Sequence, residues 1–250
     1  CYINMSITTD IVSDGLIFNI DPANRASTIP NTNTTSVFNT IDMNMTGSIV
    51  TDATWTNSTI TPSYDFDGSD GYIDISPLTA SINTAAIGTI SIWARIESNS
   101  SYSCLFSGTQ SQYRTSFALR LRDSGLPAKL HMTFRKNGED PSHVAFQTTN
   151  TEISADTWYN IAVTQDASAA VCYINGSTVS LENLTSGNPT TVATMWYNYI
   201  TPTELYIGRN RVANQNNPGA FEGQYWDGQM GPILFYNRAL SAGEVLENYN

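Results

Sequence analysis

The chain has 250 residues, 40% hydrophobic and 11% aromatic, with a formal net charge of −11. A chain of this length buries roughly three quarters of the surface it exposes when unfolded, so its core needs no staples. Strong acidity repels phosphate backbones and excludes nucleic acid as a partner, and no apolar stretch is long enough to insert into a membrane. Charged residues make up only 13% of the chain, against about a quarter in ordinary domains. Asn, Ser and Thr take their place, and these suit sheet surfaces and turns better than helices.

The elements are predicted in chain order. Residues 1–13 form an arm ahead of the first strand; its Ile3, Met5, Ile7, Ile11 and Val12 are expected to dock on the chain's own sheet or on a neighbouring copy. One folded domain then runs over 14–250. A strand is predicted over 15–20, followed by a Thr/Asn/Ser-rich surface excursion over 26–63 with one or two edge strands. Tyr64-Asp65-Phe66 enters an Asp67-Gly68 turn, and Tyr72-Ile73-Asp74-Ile75 leaves it. Residues 89–96 alternate, with Ile90, Ile92, Ala94 and Ile96 on one face. Residues 115–122 set Phe117, Leu119 and Leu121 opposite Arg120 and Arg122. Residues 158–164 and 170–174 read as a hairpin pair, with a strong turn signal at Asn175-Gly176. Long loops are predicted over 183–202 and 209–225, and strands over 205–208 and 231–236. Trp93 and Trp158 are expected in the core. The final helix opens on a capping box, Ser241 with Glu244, flanked by a Leu240–Val245 staple. Many short strands and one helix predict an all-β fold, a two-sheet antiparallel jelly-roll sandwich with one short C-terminal helix.

The cysteines, Cys1, Cys104 and Cys172, are too few and too widely spaced for a disulfide framework or a zinc motif. Buried or incidental thiols are the plain reading; a Cys104–Cys172 bridge stays open. Asn-x-Ser/Thr sequons, as at Asn57, Asn99 and Asn175, are no commoner than chance in so Ser/Thr-rich a chain.

Several segments together carry a family resemblance. Tyr64-Asp65-Phe66-Asp67-Gly68-Ser69-Asp70-Gly71-Tyr72-Ile73 resembles the Phe-Asp-Gly-x-x-Asp-Tyr-Ile signature of laminin-G-like, concanavalin-A-like jelly rolls. Thr89-Ile90-Ser91-Ile92-Trp93, Asp156-Thr157-Trp158-Tyr159-Asn160-Ile161-Ala162-Val163-Thr164, Cys172-Tyr173-Ile174-Asn175-Gly176 and Leu205-Tyr206-Ile207-Gly208 are similar to that family's following strands. The run from Asp227-Gly228 through Arg238-Ala239-Leu240-Ser241 resembles its closing strand and helix start. The opening, Asp14-Gly15-Leu16-Ile17-Phe18-Asn19-Ile20-Asp21-Pro22, looks like a variant found in virion proteins of marine tailed phages. The resemblance implies two curved antiparallel sheets that bind glycans or proteins, in some members with calcium.

Glycosidases of this fold place their paired carboxylates on a Glu-x-Asp-x-Glu strand. Here Glu97, Glu139, Glu152, Glu182, Glu204, Glu222, Glu244 and Glu247 are scattered. His131 and His143 lack a nucleophile motif nearby and read as ordinary strand or loop histidines. No catalytic residue is assigned, and an enzyme is not expected. No cofactor is required. Calcium is the one ion the resemblance allows, with Asp67, Asp70 and Asp227 as oxygen donors, although Asp-Gly at two of these positions reads first as turn chemistry. The calcium positions of the family's pentraxin branch fall on Arg209-Asn210-Arg211 and Gln110-Ser111-Gln112, and arginine repels a cation.

The candidate glycan- or partner-binding residues are Tyr113 and Arg114 in one loop and Arg209, Asn210 and Arg211 in another, because sugar sites combine an aromatic face with planar hydrogen-bonders. Trp196, Tyr197 and Tyr199 form the most aromatic loop. The plainer alternatives are arginines paired with the abundant acids and aromatics bracing their loop. The expected function is a non-catalytic recognition or structural module on a virion surface, of capsid-decoration or fibre type. Its partners would be other virion subunits or a host-surface glycan, and it would act as a homo-oligomer or in repeated copies. The alternative is a calcium-dependent extracellular lectin or adhesin.

Overall fold

The computed structural model describes residues 11–28, 35–56, 62–83, 85–99, 102–110, 116–122, 125–135, 143–184, 201–214 and 217–250. Two antiparallel sheets pack face to face. Sheet I has eight strands: β1 (Leu16–Ile20), β4 (Thr54–Thr56), β5 (Ser63–Asp67), β7 (Gly88–Ile96), β12 (Trp158–Gln165), β13 (Ala170–Ile174), β14 (Ser177–Val179) and β19 (Asp227–Tyr236). They run in the order β14-β13-β12-β7-β19-β5-β4; β5 pairs with the first half of β19 and β1 with the second. Sheet II has nine: β2 (Ser36–Phe38), β3 (Thr46–Val50), β6 (Tyr72–Asp74), β8 (Cys104–Thr109), β9 (Ser116–Arg122), β10 (Lys129–Arg135), β11 (His143–Thr148), β15 (Leu181–Asn183) and β16 (Glu204–Ile207). Their order is β15-β11-β10-β9-β8-β16-β6-β3-β2. A separate hairpin joins β17 (Arg209–Asn214) to β18 (Asn217–Tyr225).

The period-2 pattern decides which side chains meet between the sheets. From sheet I come Phe18, Ile90, Ile92, Ala94, Ile96, Ile161, Val163 and Phe235. From sheet II come Phe106, Phe117, Leu119, Leu121, Leu130, Met132 and Phe134. Phe106 links the layers, its ring centroid 5.4 Å from that of Phe117 and 4.9 Å from that of Phe235. The predicted hairpin of β12 and β13 forms, and the Asn175-Gly176 turn that follows it joins β13 to β14 with φ of +51° and +72°, the left-handed pair that a tight two-residue connection needs.

The same alternation corrects one expectation. Trp93 and Trp158 are half-buried and lie outside the inter-sheet core, because strand β7 already commits Ile92 and Ala94 to the inner face and must send Trp93 outward. Trp93 instead stacks on Tyr249 at 5.6 Å and 15°. Among the described residues, Trp226, at 1% exposure, is the fully buried tryptophan. Two loop predictions also give way: the excursion over 26–63 contains the three strands β2, β3 and β4, and the loop over 209–225 is the β17–β18 hairpin. Their polar strands pair along the backbone without an apolar alternation to announce them. Most of the predicted 183–202 loop lies outside the described residues, as do the N-terminal arm up to residue 10 and Cys1. Cys104 and Cys172 are buried free thiols, with no bridge between them.

Part of the outer face of sheet I is closed by apolar contact, while across β5, β19 and β7 it carries the polar row Asp65, Gln229 and Arg95. Helix α2 (Ala242–Tyr249) begins at Ser241, whose hydroxyl accepts from the Glu244 N–H while the Glu244 carboxylate accepts from the Ser241 N–H, completing the predicted box. A short helical passage, a 3-10 turn (Ser76–Leu78) running into α1 (Thr79–Ile82), was not expected from the sequence. Helix α2 lays Val245 on a second apolar cluster of Leu16, Ala162, Tyr173, Leu234, Tyr236 and Leu240, and Val12 packs beside it. The Val12 N–H donates to Asn248 Oδ1 at 2.9 Å, so the end of the arm docks on the chain's own helix.

Candidate binding face of sheet II

The outer face of sheet II is polar, and its residues line up in register. Glu182, Gln147, His131 and Arg120 sit opposite one another across β15, β11, β10 and β9, with Lys129 opposite Arg122 in the adjacent row. Lys129 Nζ lies 2.7 Å from Glu182 Oε1, Gln147 Nε2 donates to that oxygen at 2.5 Å, and Arg122 donates to Gln147 Oε1 at 3.1 Å. Arg120 Nε donates to His131 Nδ1 at 3.1 Å, its guanidinium lies 4.5 Å from the Tyr102 ring centroid, and its NH1 reaches Gln224 Oε1 at 2.7 Å. Glu182 is held below its usual pKa, first by the Lys129 hydrogen bond and then by Gln147.

The hairpin stands on this band. Gly208, between β16 and β17, has φ +79°, and a Cβ there would lie 2.5 Å from the Phe66 ring, so only glycine can turn the chain out of the sheet at this point. Ser107 Oγ then donates to the Arg209 carbonyl at 2.6 Å and fixes the start of β17 on β8. Alternation splits the hairpin's residues between two flanks. Asn210 and Gln224, a cross-strand pair joined at 2.8 Å, face Arg120. Arg209 and Tyr225, the next pair, face β16 and β6. There the Arg209 guanidinium lies 4.5, 5.3 and 5.7 Å from the ring centroids of Tyr72, Tyr206 and Tyr225. Tyr72 and Tyr206 meet edge to face at 5.4 Å. Arg211 donates to both oxygens of Glu204, at 2.9 and 2.8 Å. Burial, with Glu204 adding to it, pushes the Tyr206 hydroxyl up to about 12, so it stays protonated as a hydrogen-bonding group at any physiological pH.

The sequence-predicted site residues fall into three groups. Arg209, Asn210 and Arg211 are brought onto this face, and they behave differently. Arg211 takes the plain salt-bridge reading, Asn210 is a buried network member at 1% exposure, and Arg209 is framed by aromatic rings. Tyr113, Arg114, Trp196, Tyr197 and Tyr199 lie outside the described residues. Asp67 and Asp70 meet at the β5–β6 turn and gather Asp52, the three carboxylates having oxygens within 4.8 Å of one another. Asp227 lies across from Asp67 in register, but its carboxylate takes the Ser98 hydroxyl instead. Asp67 Oδ1 accepts the backbone N–H groups of Ser69, Asp70 and Gly71. These bonds outweigh the opposing effect of burial and lower its pKa. That is the expected turn chemistry.

Arg120, Arg122, Gln147, Gln224 and the tyrosines 72, 102, 206 and 225 are not among the candidate site residues of the sequence, and His131 reads there as an ordinary strand or loop histidine. The signal for Arg120 and Arg122 was present, since they alternate with a core face. The tyrosines carry none, because their convergence depends on where the hairpin is turned.

The fold and this face together define a β-sandwich of the lectin-like class. Residues 67–246 match the family model described as the concanavalin A-like lectin/glucanases superfamily, and the chain belongs to that family. No curated protein matches the chain in sequence. Among solved structures it is similar to domain 4 of AbnA, a GH43 extracellular arabinanase from Geobacillus stearothermophilus, in complex with arabinotriose. That match has TM-score 0.58 and 15% identity over 94% of this chain and 98% of that one. It is also similar to the Ruminococcus gnavus IT-sialidase CBM40 bound to α2,3 sialyllactose, with TM-score 0.56 and 17% identity over 74% of this chain and 94% of that one. The botulinum neurotoxin serotype C1 binding domain matches with TM-score 0.61 and 12% identity, over 94% of this chain and 52% of that one. At these identities the likeness establishes the fold.

Proposed function

We propose that the domain is a non-catalytic glycan-binding module whose ligand rests on the outer face of sheet II, against the β17–β18 hairpin. The observation that carries this reading is the convergence of Tyr72, Tyr206 and Tyr225 on Arg209 beside the Arg120–Gln224–Asn210 network. The partly exposed rings of Tyr72 and Tyr225, backed by buried Tyr206, offer apolar faces for the C–H side of a sugar ring, and guanidinium and amide groups offer planar donors and acceptors for its hydroxyls. The solved structures of similar fold named with arabinotriose and sialyllactose support the same reading. Catalysis is not assigned to the face: Glu182 and Glu204, its two described glutamates, are each tied to a cation, whereas hydrolysis needs one carboxyl free as an acid.

The module would work outside the cell or on a virion surface, in repeated copies that give weak sugar contacts avidity. A second reading, a calcium-dependent lectin, has the Asp52–Asp67–Asp70 group in its favour. A glycan array probed with the intact protein, in calcium and in EDTA, separates the two. Binding that survives EDTA and is lost in Tyr72→Ala/Tyr225→Ala supports the sheet II site. Binding abolished by EDTA and by Asp70→Asn supports the calcium reading, and binding to no glycan in either buffer rejects both.

A further inference from the structure

Arg209 differs from the four described cations that are taken up in ion pairs. The chain has 22 Asp and Glu against 11 Lys and Arg, so a carboxylate partner is easily found. Arg95 has Glu97 and Asp156, Arg211 has Glu204, Arg238 has Asp14 and Glu244, and Lys129 has Glu182. Half-buried Arg209 has no ion pair and makes no side-chain hydrogen bond among the described residues, and its Nε is enclosed without a partner. Three tyrosine rings hold the guanidinium in one place, which removes much of the entropy a flexible arginine loses on binding. Two acids on the neighbouring strands are occupied: Glu204 by Arg211, and Asp74 Oδ1 by the N–H and hydroxyl of Ser76. On the hairpin's other flank, in the Arg120–Gln224 network, the fully buried Asn210 has an Oδ1 with no partner. Five cations, Arg120, Arg122, Lys129, Arg209 and Arg211, share this face with three described acids, Glu182, Glu204 and Asp74, a positive excess on an otherwise acidic molecule.

We infer that Arg209 is the anion-recognising group of the site, and that the ligand is an acidic glycan whose carboxylate or sulfate accepts the guanidinium N–H groups while its ring lies on the tyrosines. This rests on the glycan reading above and narrows it to a class of sugar. The planar fork of arginine suits such an oxyanion, and its charge is most effective where rings exclude water.

The test is an array of uronate-, sialate- and sulfate-bearing glycans, each beside its neutral counterpart. The strongest hit is then titrated calorimetrically against wild type, Arg209→Met and Arg209→Lys, with a melting curve for each. Wild type should prefer the acidic member of the pair. Arg209→Met should lose that preference by about 10- to 100-fold, the worth of a hydrogen-bonded charge, and Arg209→Lys should recover only part of it. The carboxylate and sulfate arms identify the anion. Should Arg209→Met fail to fold, the Arg209→Lys titration and the wild-type acid-versus-neutral comparison decide. Equal binding of acidic and neutral members, or a full preference retained without Arg209, overturns this inference and leaves the glycan reading standing. Binding to no glycan of either kind rejects both.

Discussion

The two outer faces of the sandwich have been finished in opposite ways. Sheet I is covered by helix α2 and by Val12, through Leu16, Tyr173, Leu234, Tyr236, Leu240 and Val245, with Trp93 stacked on Tyr249. Sheet II carries Arg120, Arg122, Lys129, His131 and Gln147, with a hairpin standing among them. Apolar burial on the first face contributes stability in proportion to area. Buried polar groups on the second, such as His131 at 3% and Asn210 at 1% exposure, contribute little net stability even when bonded, and an unpaired atom such as Asn210 Oδ1 costs some. An orphaned buried atom is not peculiar to that face, since Asn160 Oδ1 on sheet I has no partner either. On the proposed function, sheet I's face is structural and sheet II's face is the one that meets the ligand.

The largest way to break this comparison is on the closed face. Leu240→Ala removes a 4%-exposed side chain between the helix and sheet I and should lower stability by about 2–5 kcal/mol, while the folded protein binds its glycan unchanged. A loss of affinity with no loss in denaturant midpoint would reverse the roles of the two faces. Next comes Ser241→Ala, which removes the acceptor of the Glu244 N–H and should cost about 1 kcal/mol by chemical denaturation, again without touching binding.

How far the sequence disclosed this difference depends on the face. The closed face was legible: the Ser241–Glu244 spacing announced the helix, and the Leu240–Val245 pair announced the contact that seats it. The strand faces of β7 and β9 were legible for the same reason, since isoleucine, leucine and phenylalanine alternate there against polar neighbours. Trp93 was misplaced by its bulk and hydrophobicity, although its position in the same alternation sends it outward. The open face was legible only in part. Arg209, Asn210 and Arg211 were marked as one rim, but the β17–β18 hairpin that separates them onto two flanks has no apolar period, so it read as a loop. Tyr72 and Tyr206 are far apart in sequence and meet only because β6 and β16 are neighbours. Nothing local in the chain signals such a meeting.

Smaller effects sharpen the comparison from the open side. Tyr72→Ala removes the edge-to-face contact with Tyr206 and the ring beneath Arg209. It should cost stability only about 0.5–1.5 kcal/mol, while glycan binding measured by calorimetry falls sharply. The reverse pattern would make the tyrosines structural. The smallest effect is a pH dependence on the closed face. The Arg238 hydrogen bond, helped by the Ser241 N–H, holds Glu244 down to about 2 from an ordinary 4.5. A depressed carboxylate stabilises the fold fully above its unfolded pKa and loses that contribution as pH falls toward the folded value. Melting temperatures of wild type and Glu244→Gln should therefore differ above about pH 4.5 and converge toward pH 2. A gap that stays constant through that window contradicts the assignment.

The most direct test of the central assignment is hydrogen–deuterium exchange with and without the glycan selected on the array. Ligand protection should fall on the peptides of β9, β10 and β16 to β18, with helix α2 and the outer residues of sheet I unchanged. Protection centred on helix α2 and β12 to β14, with the hairpin unaffected, would place the ligand on the wrong face for this account and contradict it.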